Sequence, residues 1–314
     1  MQIPSFLETD RPFVPLNLGG NPFGWTCPED DAFAVLDHFH ASGGSFVDTA
    51  DAYSAWAEGH SGGESEAVIG RWMADRGTRA DMRIATKVGK KPDRSGLAHD
   101  TVVAALEESL ERLQTDHVDL YYAHADDESV PVEDQVATFH SLVEAGKVRA
   151  VGLSNYTPER LRAWVATARE HGMTVPAAIQ PRYTLVSRTE YETEVAPVAR
   201  ELDLAVFSYP ALASGFLTGK YRTEADFAGN PRGGAARRYA EAGGLHVVDA
   251  LVHVAERHDV APSAVAIAWL LARDVTAPIA SASRPEQLDP LFDGVRLQLD
   301  AEDVAELDGA SAAF

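Results

Sequence analysis

The sequence predicts an α/β protein that folds as one (β/α)8 TIM barrel over residues 1–314, with its active site at the carboxyl ends of parallel strands. Two observations lead to this prediction. Eight short apolar runs rich in β-forming residues are each followed by a longer segment with helical periodicity. The 314 residues accommodate eight such units, and no Ser/Gly linker, charge block or low-complexity run divides them.

Strands and helices are predicted in alternation along the chain. The strands are expected at residues 14–19, 45–49, 82–87, 117–123, 148–154, 175–180, 203–209 and 275–281. Helical patterns include residues 28–42, 63–75, 101–113, 132–145, 158–170 and 191–202. Thr157, followed by a proline, predicts a helix start. Asp100 predicts another, for a helix with Ala104 and Leu106 facing inward.

Two architectures satisfy this alternation, because parallel strands joined by right-handed crossovers form either a closed barrel or an open doubly wound sheet. A dinucleotide-binding doubly wound sheet carries G-x-G-x-x-G after its first strand. Residues 19–24 here read GGNPFG, which does not match that spacing. The eight units and this mismatch favour the barrel.

Charge and cysteine content exclude several classes of partner. The 27 Lys and Arg against 48 Asp and Glu give a net charge of −21, which disfavours binding to nucleic acid and to anionic membrane surfaces. The single cysteine, Cys27, excludes an internal disulfide and a cysteine-rich metal site, and we expect no metal. No apolar run approaches the roughly 20 residues that span a bilayer. The first residues lack the pattern of a secretory signal, so we expect a cytoplasmic protein.

Four polar residues follow consecutive predicted strands at the end where barrel chemistry occurs. Asp48 and Tyr53 follow the second strand, Lys87 ends the third and His124 follows the fourth. A neighbouring ammonium is expected to lower the pKa of a phenol from its usual value of about 10, and a carboxylate keeps that ammonium charged. An imidazole can orient a carbonyl group. Each residue alone is more often a cap, a packing group or a solvated side chain, but the set predicts protonation of an oxygen while its carbon is attacked.

Nine segments make the chain resemble the aldo-keto reductases. They are LNLGGNPFGW (16–25), FVDTADAYS (46–54), GGESEAVIGRWM (62–73), IATKVG (84–89), DLYYAHADD (119–127), EAGKVRAVGLSNYTPERL (144–161), IQPRY (179–183), YPALASGFLTGKY (209–221) and APIASASRPEQL (277–288). The resemblance implies reduction of small aldehydes or ketones to alcohols by hydride transfer from a nicotinamide cofactor. It implies Tyr53 as the general acid, Lys87 as its pKa-lowering neighbour, Asp48 as the partner of the lysine and His124 as the group that orients the substrate.

The same resemblance implies a set of cofactor contacts, with NADP(H) preferred over NAD(H). The set is Gly20, Asp48, Ser154, Asn155, Gln180, Tyr209, Leu212, Gly215, Leu217, Lys220, Arg232, Ser283, Arg284 and Gln287. Ser283 and Arg284 would meet the 2′-phosphate, because a guanidinium fork suits phosphate. Several arginines follow the seventh strand, and Arg232 matches best. Relatives usually carry Thr at Gly20 and Gly at Ser281, and they commonly carry Glu-Asn at positions 290–291.

The expected substrate pocket has an aromatic wall. Phe23, Trp25 and Trp56 would form that wall beside Tyr53 and His124, although ordinary loop packing explains these three residues about equally well. The Gly/Ser-rich segment 54–63 is expected to cover the pocket as a flap. The family resemblance also suggests a monomer.

Two other functions compete with the reductase. Some relatives of this barrel serve as nicotinamide-sensing subunits of membrane channels, which bind cofactor with little turnover. A barrel hydrolase would use paired carboxylates such as Asp126 and Asp127. Adjacent residues at a strand end point to opposite sides, so this pair is not expected to flank one bond.

Overall fold

The computed structural model describes residues 4–8 and 12–314, and its centre is an eight-stranded parallel sheet. The strands are β1 (Asn17–Gly19), β2 (Phe46–Asp48), β3 (Arg83–Val88), β4 (Val118–Ala123), β5 (Val148–Ser154), β6 (Ala178–Gln180), β7 (Ala205–Val206) and β8 (Ile279–Ala280). Their order in the sheet is β8-β1-β2-β3-β4-β5-β6-β7. The Ile279 amide donates to the Ser208 carbonyl at 2.8 Å, and the Thr276 amide to the Val206 carbonyl at 2.9 Å. These hydrogen bonds join the two edges, and the (β/α)8 barrel prediction is confirmed.

Helices cover the outside of the barrel. They are α1 (Glu29–Ala41), α2 (Glu64–Arg76), α3 (His99–Leu113), α4 (Val132–Glu144), α5 (Pro158–Glu170), α6 (Ala196–Glu201), α7 (Glu224–Phe227), α8 (Gly233–Glu241), α9 (Leu245–His258), α10 (Pro262–Leu271), α11 (Asp289–Arg296) and α12 (Ala301–Ser311). Shorter elements are 3-10 turns at Ser5–Leu7, Ala213–Thr218 and Pro285–Gln287, a π-helical turn at Tyr191–Val195 and a hairpin of Lys90–Lys91 with Arg94–Ser95. Among the described residues, no helix has the length and apolar character needed to cross a bilayer.

Two predicted helix starts had different outcomes. The Thr157 hydroxyl accepts a hydrogen bond from the Arg160 amide at 3.3 Å, so this cap is confirmed. The prediction for Asp100 was wrong, because α3 begins at His99 and places Asp100 inside the first turn. A carboxylate there still favours the helix dipole. Leu106 is buried as expected, whereas Ala104 is exposed.

Aromatic side chains fill the barrel interior near the amino-terminal ends of the strands. The rings of Phe6, Phe46 and Phe207 meet edge to face, with centroids 5.1–6.4 Å apart. Phe6 belongs to the 3-10 turn Ser5–Leu7, which packs against the amino-terminal end of the barrel. Burying a side chain of this size stabilises the fold by roughly 1.5–3 kcal/mol. Because this end of the barrel is filled, a ligand can enter the barrel only at the carboxyl ends of the strands.

A buried carboxylate also lies near the amino-terminal end. Asp119, the second residue of β4, is fully buried. It faces the guanidinium groups of Arg79 at 3.0 Å, Arg149 at 3.4 Å and Arg83 at 3.9 Å. Its Oδ2 accepts a hydrogen bond from the Ile84 amide at 2.9 Å. This ion cluster joins β4 to the strands on either side.

Candidate active site

A lysine, a carboxylate and a phenol meet at the carboxyl ends of β2 and β3. The ammonium of Lys87 donates to Asp48 Oδ2 at 2.6 Å, to the Thr49 carbonyl at 2.7 Å and to the Tyr53 hydroxyl at 2.8 Å. The Tyr53 hydroxyl lies 3.2 Å from Asp48 Oδ2. Lys87 and Asp48 are fully buried, so each relies on the other for charge compensation.

Backbone hydrogen bonds fix the turn that carries the phenol. Asp48 is the last residue of β2, and Ala85 faces it across the register with β3. The Asp51 amide then donates to the Lys87 carbonyl at 3.2 Å. The Tyr53 amide closes a turn onto the Ala50 carbonyl at 3.2 Å. The phenol therefore returns to the same barrel end as the lysine.

Burial controls the proton affinities of this set. Burial lowers the pKa of Lys87, and the adjacent Asp48 carboxylate opposes that effect. Burial, followed by the repulsion of Asp48, raises the pKa of Tyr53 well above 10. The expectation that Lys87 leaves Tyr53 with a lowered pKa was wrong, because the cost of desolvating a phenolate beside a carboxylate is larger. Tyr53 is therefore fully protonated at neutral pH and can act as a donor.

His124 stands beside the phenol in a neutral form. Its ring centroid lies 6.2 Å from that of Tyr53. Its amide donates to the Val88 carbonyl at 2.9 Å, which fixes the residue just past β4. Burial, followed by the charges of Lys87 and Lys90, holds the pKa of His124 well below 6.5. Nδ1 is buried and has no hydrogen-bond partner in the part of the chain that the structure describes.

A chain of polar side chains leads from this set across β5, β6 and β7. Gln180 Nε2 donates to Asp48 Oδ1 at 2.8 Å, and Ser154 Oγ donates to the Gln180 carbonyl at 2.9 Å. Asn155 Nδ2 donates to Ser154 Oγ at 2.9 Å, and the Tyr209 hydroxyl donates to Asn155 Oδ1 at 2.6 Å. The structure therefore brings together these four predicted cofactor residues.

Three cations without carboxylate partners gather between the segments after β7 and β8. These cations are Lys220, Arg232 and Arg284. Burial, followed by the charges of Arg232 and Arg284, lowers the pKa of Lys220. Within residues 4–8 and 12–314, none of the three forms an ion pair, although the protein has 48 Asp and Glu. Arg232 Nη2 instead lies 3.5 Å from Asn21 Oδ1. In so acidic a protein, unpaired cations at one place suit a bound anion.

The turn after β7 brings the predicted Gly215 against this cluster. Gly215 has a φ of +86°, and a side-chain carbon added there would lie 3.3 Å from the Lys220 ammonium. The Gly215 amide donates to the Leu212 carbonyl at 2.8 Å. Leu212 is half-buried, whereas Leu217 is fully buried in the main core and its amide donates to the Leu212 carbonyl at 3.3 Å.

The segment after β8 is already hydrogen-bonded. The Ser283 amide and hydroxyl both meet Gln287 Oε1, at 2.8 and 3.3 Å. The Ser281 hydroxyl donates to Asn21 Oδ1 at 2.6 Å. Cys27 Sγ lies 3.5 Å from the Ser283 carbonyl, and burial raises the pKa of this thiol to about 11.

Close packing explains the glycine at position 20. The Ser65 hydroxyl donates to the Gly20 carbonyl at 2.8 Å. A side-chain carbon on Gly20 would lie 2.8 Å from the same hydroxyl and 3.2 Å from the Asp48 carbonyl. A threonine at this position would therefore require Ser65 to move.

Two tryptophans line one side of the mouth. The rings of Trp25 and Trp56 meet edge to face, with their centroids 5.4 Å apart. The Trp56 ring centroid lies 6.1 Å from that of Tyr53. Trp56 is 53% exposed, which leaves an aromatic surface beside the phenol. Phe23 is not part of this surface. It is fully buried in the core, because the turn after β1 directs its ring inward.

Sequence reasoning missed a buried charge cluster behind the lysine. Glu66 is fully buried and accepts hydrogen bonds from the Thr86 hydroxyl and, at 2.8 Å, from Arg112 Nε. Asp51 is only 1% exposed, and in the described ranges no side chain donates to its carboxylate. The second aspartate of DTADAY was the available signal, since it lies two residues before Tyr53.

The carboxylates of the hydrolase alternative have structural partners. Asp126 accepts two hydrogen bonds from Arg160, at 2.5 and 2.8 Å. Asp127 accepts from the Leu97 amide at 2.8 Å and from the Ser129 hydroxyl at 2.5 Å. Across the described residues, no three His, Cys, Asp or Glu side chains converge as a metal site would require.

A model of the aldo/keto reductase family matches residues 15–312. The chain belongs to this family. Among aldo/keto reductase relatives of this chain, an aryl-alcohol dehydrogenase of Pestalotiopsis microspora is 31% identical over 94% of this chain and 78% of its own. The norsolorinic acid reductase stcV of Emericella nidulans is 31% identical over 94% and 77%. Aldo-keto reductase yakc of Schizosaccharomyces pombe, whose name carries NADP(+), is 31% identical over 87% and 80%. These relatives place the chain among oxidoreductases.

Proposed function

We propose that this protein reduces the carbonyl group of a small aldehyde or ketone to an alcohol, with NADP(H) as its cofactor. The observation that carries the proposal is the contact of Lys87 Nζ with both Asp48 and Tyr53, at 2.6 and 2.8 Å. A protonated phenol hydrogen-bonded to an ammonium is a proton donor whose conjugate base would form beside a positive charge. If the Lys87–Asp48 ion pair served only to stabilise the fold, it would not require a phenol in contact with the lysine.

The four residues then divide the reaction between them. When bound, the nicotinamide would supply hydride to the carbonyl carbon. Tyr53 donates its proton to the carbonyl oxygen, and the Lys87 ammonium stabilises the phenolate that remains. Asp48 keeps the buried ammonium charged. His124 is neutral, so it orients the carbonyl through a hydrogen bond without adding a competing charge.

The unpaired cations support NADP(H) over NAD(H). Lys220, Arg232 and Arg284 would hold the phosphates, since they have no carboxylate to neutralise them among the residues described. Ser154, Asn155, Gln180 and Tyr209 would hold the nicotinamide end, next to Asp48. The relative whose name carries NADP(+) agrees with this preference.

The aromatic surface of Trp25 and Trp56 favours substrates with a flat apolar group. Trp56 is the only large hydrophobic residue that is exposed in the described part of the chain, and its ring lies beside that of Tyr53, the proposed proton donor. One relative is named an aryl-alcohol dehydrogenase, which supports an aryl aldehyde or ketone. We also propose that residues 1–314 form one domain and that the protein acts as a cytoplasmic monomer.

NADPH consumption with an activated aromatic aldehyde tests the proposal. Wild type should oxidise NADPH, Tyr53→Phe should lose roughly 10²–10⁴-fold in kcat with NADPH binding retained, and NADH should be the poorer cofactor. Tyr156→Phe is the matched control, because this buried hydroxyl bonds Gln135 at 2.7 Å outside the site. Tight NADPH binding without reduction of any aldehyde or ketone would favour the nicotinamide-sensing role instead. Failure to bind either cofactor would exclude both.

A further inference from the structure

A second layer of carboxylates lies behind the catalytic lysine. Asp51 and Glu66 are buried as deeply as Asp48, with exposures of 1% and 0%. Their neighbours are Arg112, whose Nε reaches Glu66 at 2.8 Å, and Lys91, whose Nζ lies 3.4 Å from the exposed Asp93. No reaction step assigned above uses either carboxylate.

This layer is tied to Lys87 through the backbone and through β3. The Asp51 amide donates to the Lys87 carbonyl at 3.2 Å. Glu66 binds the hydroxyl of Thr86, the residue before Lys87 on the same strand. Successive strand residues point to opposite faces, so Thr86 directs Glu66 to the outer face while Lys87 points into the barrel. Both carboxylates favour the charged form of the Lys87 ammonium.

The lysine needs that assistance because burial works against its charge. Lys87 is fully buried, and one carboxylate, Asp48, is its only ion-pair partner in the described chain. Asp48 also meets the Tyr53 hydroxyl and the Gln180 amide, so its charge is shared among three donors. An ammonium in such a site loses its proton more readily unless further negative charge lies nearby.

We propose that Asp51 is a positioning residue for the reaction: together with Glu66 it forms an outer carboxylate layer that keeps Lys87 in its ammonium form at neutral and alkaline pH. Asp51 touches neither substrate nor cofactor and acts only through the lysine. Removing its charge should therefore change the proton affinity of Lys87 and leave the hydrogen bonds of Lys87 in place.

The contribution of Asp51 depends on pH. Burial, and then the charge of Glu66, raises the pKa of Asp51 to about 7, while Arg112 and Lys91 oppose the rise. The carboxyl takes up its proton as pH falls through about 7 and then offers Lys87 no negative charge, whereas at alkaline pH it is an anion. The charged and titratable groups that face Asp51 or Lys87 are Asp48, Tyr53, Glu66, Lys91, Arg112, Tyr121 and His124.

Lysine NMR measures the effect without substrate or cofactor. The protein has five lysines, so ¹³Cε-labelled lysine gives five signals. The signal that is missing from the spectrum of Lys87→Met belongs to Lys87. In Asp51→Asn the titration midpoint of Lys87 should fall by about one pH unit. Asp303→Asn is the matched control, because Asp303 is also 1% exposed but pairs with Arg257 and His258 on the outer helices. An unchanged midpoint in Asp51→Asn, or an equal fall in the control, would overturn the proposal.

Kinetics provide the second test, and only this part rests on the proposed function. The alkaline limb of kcat should move to lower pH in Asp51→Asn, while the two enzymes converge below pH 6, where wild-type Asp51 is neutral. A loss that is the same at every pH would indicate a structural role and contradict the proposal. If wild type reduces no carbonyl compound, the proposed function fails while the NMR result still decides this one. Should Asp51→Asn not fold, Glu66→Gln replaces it and should shift the midpoint in the same direction.

Discussion

The two ends of the barrel each bury a carboxylate against cations, but they use different partners. At the amino-terminal end Asp119 faces three arginines, and Arg79 also donates to the carbonyls of Met82 and His117. At the carboxyl end Asp48 faces Lys87, which donates to a phenol. An arginine keeps its charge at any accessible pH, whereas a buried lysine and a phenol can exchange protons. Similar burial therefore gives a structural ion cluster at one end and, in the reaction proposed above, an acid–base site at the other.

Lys87→Met should have the largest effect, because it removes the exchangeable cation and leaves the phenolate unstabilised. We expect kcat to fall about 10³-fold, or about 4 kcal/mol in barrier height, with NADPH still bound. Steady-state kinetics and cofactor titration measure the two quantities. Lys147→Met, at a partly exposed lysine paired with Glu107, is the control. If Lys87→Met kept a tenth of wild-type kcat or more, the proposed distinction between a structural end and an acid–base end of the barrel would be wrong.

Asp119→Asn should affect stability alone. Three arginines would lose their shared anion, so the free energy of unfolding should fall by about 3 kcal/mol. Denaturant titration measures this change, and kcat of the folded fraction should stay within about twofold of wild type. A fall in kcat comparable with that of Lys87→Met would show that the lower cluster also serves the chemistry.

Arg284→Ala should have an intermediate effect, on cofactor choice. If Arg284 holds the 2′-phosphate as proposed, losing this charge-assisted contact should raise Kd for NADPH about 10–30-fold, equivalent to roughly 1.4–2 kcal/mol. Kd for NADH should change less than about threefold, because NADH lacks that phosphate. Arg296→Ala, at an exposed arginine paired with Asp293, is the control. Equal losses for the two cofactors would place Arg284 away from the 2′-phosphate.

His124 should give the smallest effect, in the dependence of stability on pH. Its folded-state pKa is depressed by burial, so below pH 6.5 the unfolded chain binds the proton more readily. Its contribution to stability is present above pH 6.5 and is lost as pH falls, by about 1 kcal/mol between pH 6.5 and 5.5. His124→Gln should lack this part of the loss in denaturant titrations at the two pH values. His171→Gln, at an exposed side chain, should retain it.

The alternation of apolar runs was enough to predict the eight strands, because each strand is followed by its own helix along the chain. The convergence of Asp48, Lys87 and His124 was predictable for the same reason, since they lie at or just past the carboxyl ends of three consecutive strands. The proton affinity of Tyr53 was not, because it depends on burial. Nor was the direction of the Phe23 ring, which the turn after β1 decides.

The charge cluster behind Lys87 illustrates the limit of sequence reasoning more clearly. Its members come from a turn, from α2 and from α3, and no spacing rule connects them. Each is an ordinary charged residue in the sequence. Only the packing of α2 and α3 against β3 brings them together and excludes water.

The single cysteine has a practical consequence for labelling. Cys27 is fully buried and its thiol has a pKa of about 11, so almost none of it is a reactive thiolate at neutral pH. The wild-type protein should therefore be nearly inert towards maleimide dyes. Glu58→Cys, at an exposed position of segment 54–63, would introduce the one thiol that such a dye can modify. A fluorophore there would test whether this segment moves against the tryptophan pair, without background from the rest of the chain.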